Sequence, residues 1–212
     1  MPVTEEGPIS IEAGGPNRLI LASRSPRRRE LLREAGIRHE VKLAEDVDDS
    51  DLCPGDVSAE YWVASLAYLK ARAVADLLDP GDNAVVLGAD TVCVLDDEII
   101  GQPRDRDDAR RIIESFENRE HGVLTGVALV DHRGVMLDLF IDRAIVRVGG
   151  IGEAEIEAYL DSENWRGKAG AYNLFERLEA GWPIEFEGDG STIVGLPMEA
   201  LGPRLSELGL GI

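Results

Sequence analysis

The chain has 212 residues, 44% of them hydrophobic and 30% charged, and a formal net charge of −19. That length supports one sizeable core or two lobes sharing a cleft, and no apolar run approaches the roughly 20 residues that span a bilayer, so no membrane partner is expected. The acidic balance excludes a long nucleic-acid footprint, which needs broad basic surface. A single nucleotide stays open, because a local arginine cluster can hold a triphosphate inside an acidic protein.

Residues 1–17 are acidic and rich in Gly and Pro, with neither the basic start nor the apolar centre of a signal peptide. They read as a disordered extension before one domain over 18–212, with a cytoplasmic location by default. Residues 18–22 (RLILA) form a predicted buried strand. Ser25 is the predicted N-cap and Pro26 the first position of a helix to about residue 35, stopped by Gly36. Residues 41–43 predict a short second strand, followed by an acidic loop through Glu45, Asp46, Asp48, Asp49 and Asp51. A helix over 58–78 ends at Pro80-Gly81. The continuous apolar run 84–89 (AVVLGA) predicts a strand covered on both faces. Residues 92–95 and 98–100, joined by Asp96-Asp97, predict a hairpin.

Asp105 then caps a predicted helix to residue 116. Strands follow at 123–130 and 135–148, with His132-Arg133-Gly134 as their turn. A short helix at 153–161 leads into the glycine-containing segment 165–172. Two more strands near 183–186 and 191–194 precede a C-terminal helix. Helices alternating with strands and hairpins predict an α/β fold with a mixed central sheet flanked by helices. Cys93, within VCVL, reads as a small buried hydrophobe and Cys53 as a loop thiol. The three histidines lack the spacing of a zinc site.

Four segments could carry chemistry. In SRSPRRRELL, Arg27 and Arg28 fall in a first helical turn whose dipole disfavours cations. A bound polyanion would reverse that, since guanidinium forks match phosphate oxygens; a solvated basic helix start with Glu30 and Glu34 as partners is the plain alternative. The glycines and lysine of a Walker A loop are absent. Asp90, in GADT at the end of a predicted strand, is either a carboxylate for a metal ion or an attacking water, or a turn cap bonded to Thr91. Lys70 sits on the apolar stripe Val63, Leu66, Val74, Leu77, and either snorkels or points into a polar cleft. The segment WRGKAGAY, residues 165–172, fits a ligand loop and a structural loop equally.

Together and in this order, LILASRSPRRRELLREAGI, VVLGADTVCVLDDEIIGQPRDRDDARRII, HGVLTGVALV and WRGKAGAY…IVGLP resemble the Maf family of nucleotide pyrophosphatases over nearly the whole chain from Arg18. The resemblance implies two lobes around a nucleotide-binding cleft, as in inosine-triphosphate pyrophosphatases. It implies hydrolysis of (d)NTPs, often pyrimidine or modified nucleotides, to monophosphate and pyrophosphate with Mg²⁺ or Mn²⁺, and a homodimer. By that resemblance Asp90 is the catalytic carboxylate and a metal ligand, with Asp49 as a second ligand. Ser23, Arg27, Arg28, Lys70 and Lys168 are phosphate-binding, and Arg27 and Thr91 bear on substrate choice.

Three positions depart from the family pattern. Asp49 stands where a glutamate is usual and Gln102 where a lysine precedes Pro-Arg. The sequence Asn173-Leu174-Phe175-Glu176 stands where a base-selecting glutamine is usual, which makes Phe175, or Glu176 after a one-residue slip, the candidate specificity residue. A nucleotide-binding regulator of cell division with little catalysis is the second functional reading.

Overall fold

The computed structural model describes residues 18–44, 55–79 and 81–211. The expectations for the N-terminal extension, for Asp49 and for Cys53 lie outside the described residues. The strand β1 (Arg18–Leu21) leads through a short turn into α1 (Pro26–Glu34). Ser25 caps α1 as expected, its Oγ accepting the Arg28 N–H at 3.4 Å. The next strand, β2 (His39–Val41), begins two residues earlier than its hydrophobic pattern suggests. Parallel pairing with β1, not side-chain pattern, sets that register, since all three of its residues are at least partly exposed. Ser58 caps α2 (Ala59–Ala75), which turns Val63, Leu66, Ala67, Ala71 and Val74 onto the sheet.

Next comes β3 (Ala84–Leu95), a single strand of 12 residues and not the two segments expected from the polar interruption at Asp90-Thr91. Its hairpin partner is β4 (Glu98–Ile100). After α3 (Arg106–Phe116), capped by Asp105, the long strands β5 (Arg119–Asp131) and β6 (Met136–Val148) pair antiparallel. Then α4 (Glu153–Asp161) and a 3₁₀ turn at Ala169–Ala171 lead to α5 (Leu174–Glu179), a helix without a strong sequence signal, capped by Asn173. The strand β7 (Ile184–Glu187) completes the sheet.

The segment expected as a last strand is instead α6 (Gly190–Val194). Asp189 accounts for this: its carboxylate accepts the Ser191 N–H at 2.7 Å, and Gly195 in a left-handed conformation closes the turn. The chain ends in α7 (Met198–Glu207). Among the described residues no helix is long and apolar enough to cross a membrane.

The sheet has seven strands: six lie in the order β2-β1-β3-β5-β6-β7 and β4 pairs with β3 beside that path, with β1 parallel to β2 and β3 and the remaining pairs antiparallel. This is the mixed, helix-flanked α/β sheet predicted from the sequence. Alternation along β3 sends Val85, Leu87 and Ala89 toward α1 and α7, and Ala84 and Val86 toward α2. Further along, Cys93 and Leu95 join a separate core built with α3, α4 and α5. Each large apolar side chain buried in these cores contributes roughly 1.5–3 kcal/mol. Two core regions thus lie at the two ends of β3, and the Asp90 region falls between them.

On one edge, β3 is bonded to β1 only through Leu87, and to β4 only from Cys93 onward. Among the described residues, 88–92 have no strand neighbour on that edge, and there the sheet opens.

Candidate active site

The opening in the sheet is where the sequence motifs meet. Two glycines bring α2 close enough to complete the site. A Cβ on Gly88 would lie 2.2 Å from the Ala67 carbonyl oxygen, and one on Gly126 would lie 2.6 Å from the Val63 carbonyl oxygen. With both side chains absent, α2 presses its backbone against β3 and β5. Asp90 is paired across the sheet with Gly126 and, by alternation, faces α2. The Lys70 Nζ donates to Asp90 Oδ1 at 2.7 Å, with both side chains largely buried. Lys70 thus points from its apolar stripe into the polar site, and Asp90 lies within a strand, not at a turn.

Thr91 faces the other way. Its Oγ1 accepts from Arg28 Nη2 at 3.0 Å and bonds Thr125 Oγ1 at 2.8 Å. Thr125 donates its proton to the Thr192 carbonyl at 2.8 Å, so Thr91 is the donor in the threonine pair. The guanidinium of Arg28 also donates to the Gly195 carbonyl at 2.6 Å, the Ala89 carbonyl at 2.8 Å and Ser23 Oγ at 3.1 Å. It therefore joins α1, β3 and the turn after α6. Ser23 is buried, and its Oγ accepts from Arg28 and from the Ser25 N–H at 3.2 Å. Both lone pairs are then taken, which leaves the hydroxyl proton as its one further hydrogen bond.

A cleft of about 480 Å³ runs from this point, lined on one wall by residues 22–28 with Lys70 and on the other by Gln102, Arg166 and Gly167. Five of its lining residues are cations, namely Arg24, Arg27, Arg28, Lys70 and Arg166, and none of the described ones is acidic. In a chain of net charge −19 this is a strong local reversal of sign. A second cavity of about 520 Å³ lies at the β2 edge, but it contains none of the motif residues.

Arg27 spans the mouth of the cleft, its Nη2 donating to the Gly167 carbonyl at 3.2 Å. Burial lowers its pKa from the ordinary arginine value, while the nearby Glu176 carboxylate opposes that shift. Lys168 is 7% exposed and its ammonium pairs with Glu176. Burial lowers its pKa too, again against the pull of Glu176. Phe175 is 45% exposed, with its ring edge against Gly190. Of the two adjacent candidates, Glu176 is therefore the one joined to the motif cations, and Phe175 turns away toward α6.

The oxygen donor of Asp90, beside a cleft with neither His nor Cys on its described lining, has the hard-ligand chemistry of Mg²⁺ or Mn²⁺, not of zinc. Among the described residues no cluster of three or more His, Cys, Asp or Glu is placed to hold a metal by itself. Mg²⁺ at nucleotide sites commonly takes one or two carboxylates and completes its shell with phosphate oxygens and water, so a single carboxylate fits that role. Sequence reasoning missed Thr125 and Gly195. A polar Thr125 within the apolar run HGVLTGVALV was the one local signal for the first; Gly195 becomes visible only once distant segments meet. Arg166 lies in the candidate ligand segment 165–172, and the structure places it on the cleft.

An α/β sheet open along one edge beside a carboxylate, with a cationic cleft next to it, has the features of a site for a small polyanion. The chain belongs to the Maf-like family: the sequence profile described as Maf-like protein matches residues 18–208. It is 39% identical to a dTTP/UTP pyrophosphatase of Anaeromyxobacter sp. (strain Fw109-5) over 91% of this chain and 90% of that protein. It is 39% identical to one of Hahella chejuensis over 93% and 96%, and 40% identical to one of Symbiobacterium thermophilum over 92% and 95%. A solved nucleoside-triphosphatase / dITP/XTP pyrophosphatase from Mycobacterium abscessus aligns with 63% of this chain and 75% of that one, at 16% identity and a TM-score of 0.38.

Proposed function

We propose that this chain hydrolyses nucleoside triphosphates between the α- and β-phosphates, releasing a nucleoside monophosphate and pyrophosphate, with dTTP and UTP as the first substrates to test. The observation that carries this reading is the cation-lined cleft of a strongly acidic chain, whose Lys70 is bonded to Asp90. Its support from relatives is the dTTP/UTP pyrophosphatase name they share.

The residues divide the work as follows. Arg27, the Ser23 hydroxyl and the N–H groups opening α1 bind phosphate oxygens. Lys70 neutralises charge on the polyphosphate and holds Asp90 in place. Asp90 orients a water and takes its proton as the water oxygen bonds to the α-phosphorus; the bond from that phosphorus to the bridging oxygen breaks, and pyrophosphate leaves with the electron pair. A divalent ion, Mg²⁺ or Mn²⁺, held by Asp90 and phosphate oxygens, would supply positive charge to the leaving pyrophosphate. Arg28 and Thr91 act at one remove, by holding the Ser23 hydroxyl and the unpaired edge of β3 beside Asp90. Glu176 is the proposed base-side residue. A homodimer and a cytoplasmic location complete the proposal, read respectively by light scattering and by fractionation.

The test is pyrophosphate release from a panel of canonical and modified triphosphates with Mg²⁺ or Mn²⁺. Asp90→Asn is expected to lower kcat by about 10²–10⁴ while leaving nucleotide binding largely in place. Normal turnover in that variant removes Asp90 from the chemistry. Tight binding by the unsubstituted chain without pyrophosphate release replaces hydrolysis with the regulatory reading.

A further inference from the structure

The segment 165–172 carries two cations, and the structure separates their tasks. Lys168 is almost fully buried and its ammonium is paired with Glu176, which ties the turn to α5. It is not among the described residues lining the cleft. Arg166 does line it, on the wall facing the Ser23–Arg28 turn. Its guanidinium stacks 4.5 Å from the centre of the Trp165 ring and donates to Glu163 Oε1 at 2.8 Å.

That ring is a firm platform. Trp165 is 1% exposed, and its indole N–H donates to the Leu160 carbonyl at 3.0 Å. The turn itself is held at two further points, by Arg27 on the Gly167 carbonyl and by the Gly170 N–H on the Gly101 carbonyl at 3.0 Å. Arg166 is thus set on a braced turn at the cleft, and its link to Glu163 is an exposed ion pair of the kind a polyanion displaces readily.

We propose that Arg166 grips the polyphosphate tail from the wall opposite α1, and that Lys168 is a positioning residue that braces this turn and does not meet the phosphates. This rests on the triphosphate reading above and assigns its second wall. Gln102 gives the means to test it. It is neutral, lines the same wall, and follows Gly101, whose carbonyl anchors the Arg166 turn. A charge removed at 166 can therefore be returned at 102.

The experiment is calorimetric binding of inorganic tripolyphosphate to the full chain, a ligand without a base, followed by KM and kcat for the best nucleotide. Arg166→Gln is expected to weaken tripolyphosphate about tenfold, the value of one charge-assisted hydrogen bond, and to raise KM by a similar factor with kcat little changed. Arg166→Lys is expected to keep most of the affinity, and Gln102→Lys added to Arg166→Gln is expected to recover part of it. Unchanged affinity in Arg166→Gln overturns the proposal. So does a loss that neither Arg166→Lys nor the added Gln102→Lys recovers, because a charge would then not be what acts. If tripolyphosphate binding follows the expected pattern but no nucleotide is cleaved, the proposed hydrolysis fails and the Arg166 assignment stands.

Discussion

Ala89 has no strand neighbour among the described residues on the cleft side of β3, and its carbonyl accepts from Arg28 instead. The same guanidinium satisfies the Gly195 carbonyl and organises Ser23 and Thr91. Truncation would leave several polar groups without their partner at once. Arg28→Ala is therefore expected to lose about 3 kcal/mol of stability in chemical denaturation. Arg28→Lys should recover only part of it, because an ammonium cannot reproduce the planar fork. His121 poses a different problem at the same scale. It is 2% exposed, stacked 3.9 Å on Phe116, with Nε2 bonded to the Tyr172 hydroxyl at 3.0 Å and Nδ1 without a hydrogen-bond partner among the described residues. Burial pushes its pKa down to about 4. A histidine protonated more readily in the unfolded chain costs stability as pH falls below the unfolded value of about 6.5 and until it passes the folded value. The expected loss from this group between pH 8 and pH 5 is about 2 kcal/mol, read from urea melts. His121→Phe should flatten that part of the profile; an unchanged profile would assign the acid sensitivity to other groups.

The element that decides the site's geometry is α2. Its close approach to β3 and β5 depends on Gly88 and Gly126, and that approach puts Lys70 on Asp90. Gly88→Ala would set a Cβ 2.2 Å from the Ala67 carbonyl oxygen and 2.7 Å from the Ala71 nitrogen, both backbone atoms that cannot swing aside. Overpacking of this kind costs about 3 kcal/mol, and the retreat of α2 should also cost activity about 10²-fold, since small misplacements weigh heavily on catalytic groups. Activity at 25 °C, well below the melting point, separates the two effects: a variant that is destabilised yet fully active would show that the Lys70–Asp90 contact tolerates a displaced helix. Strong local signals made α1, α2, α3 and α4 legible in the sequence: caps at Ser25 and Asp105, the run 58–78 for α2, and the run 153–161 for α4. The helix α6 was misread as a strand because its apolar run is only a few residues long, where β-branched composition outweighs the Asp189 cap.

For the whole molecule, the two core regions at the ends of β3 meet where the cleft opens, so a ligand seated there touches elements from both. A non-hydrolysable triphosphate with Mg²⁺, at about 100 times its Kd, should add about 2.7 kcal/mol to stability. For a chain of this length that is a rise of roughly 5–10 °C in melting temperature. Chelating the metal should reduce the rise, and a melting temperature indifferent to nucleotide would place the binding site elsewhere. The overall charge of −19 contrasts with the cationic cleft. On the proposed function, a polyanion would be repelled by most of the surface and held at one place.

Periodicity and caps determined the fold class and most helices, and the SRSPRRR, GADT and KAGAY motifs pointed to the segments proposed to handle phosphate. These signals are local, because each depends on residues within a turn or two of one another. Tertiary structure alone decided that β3 passes unbroken through Asp90, that the sheet opens beside it, and that Lys70 and not Thr91 is its partner. It also decided that Glu176 joins the motif cations while Phe175 turns away, and that Arg166 faces the cleft while Lys168 is buried. Those outcomes depend on which strands share an edge and how closely a helix can approach, and both are set by residues far apart in the chain.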